Sequence, residues 1–171
     1  MTKEAFINLM IDRAKRLRDE DAEAQNVDWN RRKLWWVEKV EGLYRQINEW
    51  IAPLQTAHIV DGITSEKIQL HEEMLGGYES SILKISLGRR ILRITPVGSV
   101  IVGGMGRIDV DGPEGTARFI LTTPEEEGPD SYMTSALWFI SNSRNRRSLV
   151  PLNEDEFLKL FSLLMGLTQN A

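Results

Sequence analysis

The chain has 171 residues, of which 42% are hydrophobic, so it is the size of one domain and can bury a substantial core. Its net charge is −4 and its basic residues are spread along the whole length, which argues against nucleic acid as a partner. The absence of cysteine excludes disulfides, thiolate metal sites and cysteine nucleophiles. No apolar run approaches the ~20 residues of a membrane span, and we predict a cytoplasmic protein without a membrane partner.

The first predicted element is an amphipathic helix over residues 3–24, with Thr2 as its N-cap. Its apolar residues recur at helical spacing: Phe6, Met10, Ala14 and Leu17. A second helix follows after a short break at residues 26–28. Because short connections join antiparallel neighbours, we predict a helical hairpin over residues 1–53.

The second helix carries four of the chain's five tryptophans. Asp28 is its expected N-cap, and Pro53 is expected to end it near Ala52, because proline disfavours a helical conformation in the residue before it. Seven residues follow one another at spacings of three and four and therefore share one face: Trp29, Lys33, Trp36, Val40, Leu43, Ile47 and Trp50. We predict that the middle of this seam packs in the core, against the first helix and the sheet.

Trp35 lies off the seam, on a face that also carries Arg31, Arg32 and Lys39. Tryptophan and arginine together are enriched at the hot spots of protein interfaces. We therefore expect these four residues to bind a protein partner or a second copy of the chain.

From about Glu66 to Val150 the pattern changes to short strands separated by turn residues. Seven strands in ~85 residues, joined mostly by short links, favour an antiparallel meander over parallel βαβ units. Met133–Ile140 is predicted as one of these strands, and Asp111-Gly112 as a hairpin turn.

The last element is predicted as a helix that begins after Asn153, with Glu156 completing a capping box. The fold class is therefore α+β: an N-terminal helical hairpin, then a domain over residues 66–171 in which a seven-stranded antiparallel sandwich or partly open barrel is closed by the C-terminal helix. All of it is expected to form one folded unit. The order of elements over residues 66–169 resembles that of pleckstrin-homology-like domains. Without a family motif this resemblance implies no function, and a curved sheet gripping the C-terminal helix is the alternative.

Arginines provide the second candidate site. Eight arginines and no lysine lie between Ile85 and Leu158, and three of them cluster at Arg144, Arg146 and Arg147. The planar guanidinium group suits bidentate binding of carboxylate or phosphate, so these three residues are the candidate anion site. The alternative is that the arginines pair with acidic neighbours on exposed strands.

Other patterns are weaker. The glycine-rich run at residues 103–106 precedes a strand rather than a helix, which favours a strand bend over a phosphate loop. His58 and His71 could share a metal only if the fold brought them together. We predict no metal, no cofactor and no catalytic residue. The favoured function is a non-enzymatic intracellular protein-interaction module that uses the tryptophan-rich hairpin. The alternative is a domain, possibly an enzyme, that binds small anions or acidic ligands if arginines such as Arg90, Arg107 and Arg118 converge.

Overall fold

The computed structural model describes residues 2–25, 28–101, 104–123, 131–142 and 149–168. Its elements follow in this order: α1 (Lys3–Gln25), α2 (Trp29–Thr56), β1 (Gly62–Glu72), β2 (Gly76–Leu87), β3 (Arg90–Gly98), β4 (Gly106–Gly112), β5 (Gly115–Thr122), α3 (Tyr132–Ser135), β6 (Leu137–Asn142), β7 (Leu149–Pro151) and α4 (Glu154–Leu164). The predicted class is confirmed, with an N-terminal helical pair, seven antiparallel strands and a C-terminal helix.

The seven strands form one continuous meander in which each strand pairs antiparallel with the next, from β1 to β7. The sheet is not closed into a barrel. Side chains alternate across it, so that in β4 Ile108 and Val110 are buried while Arg107 and Asp109 are partly exposed on the other face. The predicted hairpin turn at Asp111-Gly112 is confirmed by the register that joins β4 to β5.

Helix α2 supplies the largest buried side chain of the core. Asp28 caps it as predicted, because its carboxylate accepts a hydrogen bond from the backbone N–H of Arg31 at 3.0 Å. Trp36 is fully buried, and its indole N–H donates to the Tyr78 hydroxyl at 3.1 Å. The ring lies so close to β4 that a Cβ atom added at Gly106 would come within 2.1 Å of it. The predicted core position of the seam is confirmed, and glycine in β4 makes room for it.

The predicted end of α2 at Ala52 is wrong, because the helix continues through Pro53 to Thr56. Proline removes one backbone hydrogen bond, but here it lies in the last turn, where little helix remains to be broken. The chain beyond it is held in place, since the backbone N–H groups of Ile59 and Val60 both donate to the carbonyl of Leu54.

Helix α4 covers the same face of the sheet as α2. Asn153 caps it as predicted, accepting from the backbone N–H of Glu156 at 2.9 Å. Phe157 packs between the two helices and the sheet, with ring centroids 5.5 Å from Trp50 and 6.3 Å from Phe119. The open sheet therefore carries one layer of two helices, and its other face remains partly exposed.

The segment predicted as a strand over Met133–Ile140 begins instead with the short helix α3, and β6 starts only at Leu137. The correction has a local cause. The carbonyl of Ser131 accepts hydrogen bonds from the hydroxyls of Thr134 and Ser135, at 3.3 and 2.7 Å. Such side-chain bonds compete with strand pairing and hold a turn in place.

Helix α1 forms where it was predicted, and Thr2 caps it through a bond from the backbone N–H of Ala5 at 3.2 Å. Its packing differs from the prediction. Among its described side chains only Ala14 is even half-buried, and Leu17 is 61% exposed. The seam of α2 therefore packs against the sheet and α4, not against α1. No helix in the described ranges is long and apolar enough to cross a membrane.

Candidate docking groove

A groove with a volume of about 900 Å³ lies between α2 and the edge of the sheet formed by β6 and β7. One wall is a second stripe of α2, beside the buried seam: Trp35, Glu38, Lys39, Gly42, Arg45, Gln46 and Glu49. Spacings of three and four keep this stripe on one helical face. The floor and the opposite wall are mainly apolar. They comprise Leu43, which is also on α2, and residues from α3 to the residue after β7: Met133, Ala136, Leu137, Trp138, Phe139, Pro151 and Leu152.

Gly42 sets the width of the groove. It lies in the middle of the α2 stripe, where a side chain would project into the space. A Cβ atom added there would meet nothing closer than the Arg45 guanidinium, at 3.6 Å. Glycine lowers helix stability by ~1 kcal/mol relative to alanine. At this position it also leaves the groove open, because no side chain projects into it.

The charged side chains along the groove carry both signs. Along α2, Lys39 and Arg45 lie between Glu38 and Glu49, and none of the four forms an ion pair or side-chain hydrogen bond with another residue in the described ranges. A ligand that brings charges of both signs could pair with them. Apolar floor and charged wall together match the two faces of an amphipathic peptide.

Trp35 closes one end of the groove. Its indole N–H donates to the carbonyl of Met133 at 3.2 Å, and its ring meets Tyr132 edge-on at 4.9 Å between centroids. Trp35 is therefore half-buried and held by contacts within its own chain. Its remaining surface lines the groove together with Lys39, so two of the four predicted partner-binding residues meet there.

Arg32 lies elsewhere, in the interior. It is 8% exposed, and its guanidinium donates to the hydroxyl of Ser99 at 2.7 Å and to the carbonyls of Ser99 and Met105 at 2.9 and 3.1 Å. It also lies over the Tyr132 ring, 4.6 Å from its centroid. Its expected place on the partner-binding face is therefore corrected, whereas Arg31 is exposed. The signal was present in the sequence, because Arg32 precedes the buried Trp36 by one helical turn.

A second polar network, centred on Glu72, joins four parts of the chain. Glu72 accepts hydrogen bonds from the backbone N–H groups of Ser99 and Val100, at 2.9 and 3.0 Å, and from the Tyr78 hydroxyl. Burial raises the pKa of Tyr78, and the Glu72 carboxylate raises it further. This network connects α2 and β2 with the end of β1 and the segment that follows β3. Its groups satisfy one another inside the molecule.

The sheet arginines do not meet in one concavity. Arg107 binds Asp109 through two hydrogen bonds of 2.8 and 3.1 Å, and Arg118 lies opposite Asp109 in the register of β4 and β5. Both are on the face away from the helices. Arg90 instead donates to the carbonyl of Met165 at the end of α4, at 2.5 Å. The three arginines are thus divided between the two faces of the sheet.

The cluster Arg144, Arg146 and Arg147 lies outside the described residues, so its predicted anion site stays a prediction. His58 and His71 are both exposed, and the part of the chain that the structure describes contains no cluster of three possible metal ligands.

Comparisons with protein-family models, with curated proteins and with solved structures found no match for the chain. Among the surfaces of the described residues, the groove combines a concave shape, apolar area and charged side chains without partners.

Proposed function

We propose that the protein is a non-enzymatic interaction module that binds an amphipathic helix in the groove beside α2. The groove itself carries the proposal: an apolar floor, a charged wall and a gap at Gly42 between them. In helix-in-groove recognition, apolar side chains one turn apart enter the groove and the polar face stays in water. The cysteine-free composition suits a reducing compartment, and we propose the cytoplasm.

The dimensions of the groove fit such a ligand. From Trp35 to Glu49 the α2 wall rises by about 21 Å, the length of four helical turns. The volume falls within the ~300–1,000 Å³ of ordinary binding clefts. Glu38, Lys39, Arg45 and Glu49 then select among helices by the charges that flank their apolar face.

The test is a selection of random helical peptides, displayed on phage, against the full-length protein. We expect the enriched peptides to carry apolar residues at spacings of three and four. Their affinity should fall at least about tenfold for Gly42→Arg, which fills the groove with a long cationic side chain. Gly42→Ala is the matched control and should retain nearly full affinity. Enriched peptides that bind Gly42→Arg as tightly as the wild type would place recognition elsewhere.

A further inference from the structure

Lys39 differs from the other charged side chains that line the groove among the described residues. It is half-buried, whereas the remaining three are exposed: Glu38, Arg45 and Glu49. Helical geometry explains the difference. About the axis of α2, Lys39 lies between the buried Leu43 and the gap at Gly42, and the other three lie beyond Gly42 on the side toward water. Lys39 is therefore the charged residue on the inner side of the gap.

No anion faces Lys39 within the part of the chain that the structure describes. Lys39 forms no ion pair, hydrogen bond or cation–π contact there. The residues placed on the opposite wall, among them Trp138 and Phe139, are all uncharged. Partial burial removes water from an ammonium group, and this cost is offset when an anion takes the place of the water. Lys39 is thus positioned to accept an anion from a ligand in the groove.

We propose that Lys39 sets the specificity of the groove by pairing with a carboxylate on the bound helix, an inference that rests on the proposed function. The ligand is then an amphipathic helix with an aspartate or glutamate at the edge of its apolar face. Lys39 precedes Gly42 by three residues, or about 4.5 Å along the axis of α2. The acidic residue therefore lies within one helical turn of the apolar side chain that enters the gap over Gly42.

The surroundings of Lys39 strengthen such a pair. The uncharged opposite wall and the docked helix exclude water from the inner side of the gap. Two opposite charges attract more strongly where water is excluded, and salt screens them less. The exposed charges at the rim, such as Arg45, gain less from a partner because water and salt weaken their attraction. Lys39 therefore discriminates among ligands more than any of the rim charges.

A lysine at this position suits one carboxylate. Its ammonium group is a compact point charge on a flexible stem, and the stem can cover apolar surface while the charge turns toward the ligand. A doubly charged phosphate would keep one negative charge unpaired, because Arg45, the other cation of the groove in the described residues, lies on the far side of Gly42. The singly charged side chains of aspartate and glutamate match the single cation.

An exchange of charge between peptide and protein tests the pairing. One enriched helical peptide is synthesised with glutamate, glutamine or lysine at the acidic position, and with an amidated C-terminus. Each form is titrated calorimetrically against the wild type, Lys39→Met and Lys39→Glu. The wild type should bind the glutamate form at least about tenfold more tightly than the lysine form. Lys39→Met should remove this preference, and Lys39→Glu should reverse it.

Arg45 provides the matched control, since it is a cation of the same wall on the exposed side. Arg45→Met should leave the preference for glutamate within about threefold of the wild-type value. Raising the salt concentration should reduce this small effect further, while the preference set by Lys39 persists. Each preference is a ratio of two affinities for the same protein, so a partly unfolded variant does not distort it.

Several results of these titrations would overturn the inference. Equal affinity of the wild type for the glutamate and lysine forms removes the discrimination itself. A preference that survives in Lys39→Met, or that falls as much in Arg45→Met, assigns it to other residues. A phosphoserine form that binds more tightly than the glutamate form contradicts a carboxylate as the preferred anion. A peptide whose only carboxylate is a free C-terminus, binding as tightly as the glutamate form, contradicts a side-chain carboxylate.

The outcome also separates this inference from the proposed function. A groove that selects helical peptides, with loss of affinity in Gly42→Arg but no preference for an acidic residue, overturns the role of Lys39 and leaves the docking groove in place. A protein that selects no helical peptide overturns both.

Discussion

Helices α1 and α2 have similar apolar patterns in the sequence but lie in different environments in the structure. Both are long, and both repeat apolar residues at spacings of three and four. The seam of α2 is buried against the sheet, whereas the apolar face of α1 is exposed over nearly its whole length. Helical spacing therefore shows which face of a helix needs burial, but not which surface covers it.

The side chains explain why α2, and not α1, packs against the sheet. The seam of α2 is bulky and continuous through its middle, with Trp36, Val40, Leu43 and Ile47 all buried. The apolar face of α1 is shorter and begins with Lys3, which cannot enter a core without losing its hydration. Helices α2 and α4 carry the apolar side chains that are buried against the sheet.

The largest predicted effect contrasts one residue from each helix. Trp36→Ala should lower the free energy of unfolding by about 3–5 kcal/mol, because it leaves a large cavity in the core. Leu17→Ala should change it by less than about 0.5 kcal/mol, because Leu17 is 61% exposed. Chemical denaturation followed by circular dichroism measures both. A comparable loss for Leu17→Ala would mean that α1 packs on its own domain after all.

A second prediction concerns the strand on which Trp36 lies. Gly106→Ala should destabilise the protein by about 1–3 kcal/mol, because the added methyl group overlaps the indole ring. Gly62→Ala is the matched control, since its Cβ would have no neighbour within 4 Å. Combining Gly106→Ala with Trp36→Leu should cost less than the sum of the two single changes. Strict additivity would contradict direct contact.

Two buried tyrosines next to the α2 seam predict a dependence on alkaline pH. Burial raises the pKa of Tyr44, and burial with the Glu72 hydrogen bond raises that of Tyr78. Above a pH of about 10 the unfolded chain loses tyrosine protons that the folded chain keeps. The free energy of unfolding should therefore be unaffected by these groups at lower pH and fall above it, by up to about 1.4 kcal/mol per pH unit for each tyrosine.

Unfolding measured at several alkaline pH values should show a shallower fall for Tyr44→Phe and Tyr78→Phe than for the wild type. An unchanged slope in both variants would show that neither hydroxyl keeps its proton through folding.

The smallest predicted effect has the opposite sign. Gly42→Ala should raise the free energy of unfolding by up to about 1 kcal/mol, because alanine is the better helix former and its methyl group has space. Gly166→Ala should instead destabilise, since its φ of +73° is strained for any other residue and a side chain would collide with Arg90. A loss of stability in Gly42→Ala would show that the groove is narrower than its geometry indicates.

Local signals in the sequence predicted most of the elements correctly. Asp28 and Asn153 both act as the caps that their positions indicated. Failures occurred where a neighbour changed the local preference. Pro53 was expected to stop α2, but the turn after it is held by bonds to Leu54. The segment from Met133 was predicted to begin a strand, but the hydroxyls of Thr134 and Ser135 hold it in the short helix α3.

The candidate site was less accessible to sequence reasoning. Trp35 and Lys39 were predicted from the combination of tryptophan and basic residues on one face of α2, and both line the groove. Arg32 was assigned to the same face, although its spacing from Trp36 places it inside. The residues that form the opposite wall, from β6 and the segment after β7, could not be predicted, because a groove between distant segments leaves no local pattern.

The amino-acid sequence alone is enough to predict the order of the elements and the face of α2 that needs burial, and to exclude cysteine chemistry. These properties follow from periodicity, capping and composition, which depend on residues close in the chain. Three features became visible only in the folded chain: the sheet stays open, Trp36 packs on Gly106, and α1 remains exposed beside a groove that Gly42 leaves open. Those features depend on which segments, far apart in the sequence, pack against the same face of the sheet. Patterns among neighbouring residues do not contain that information.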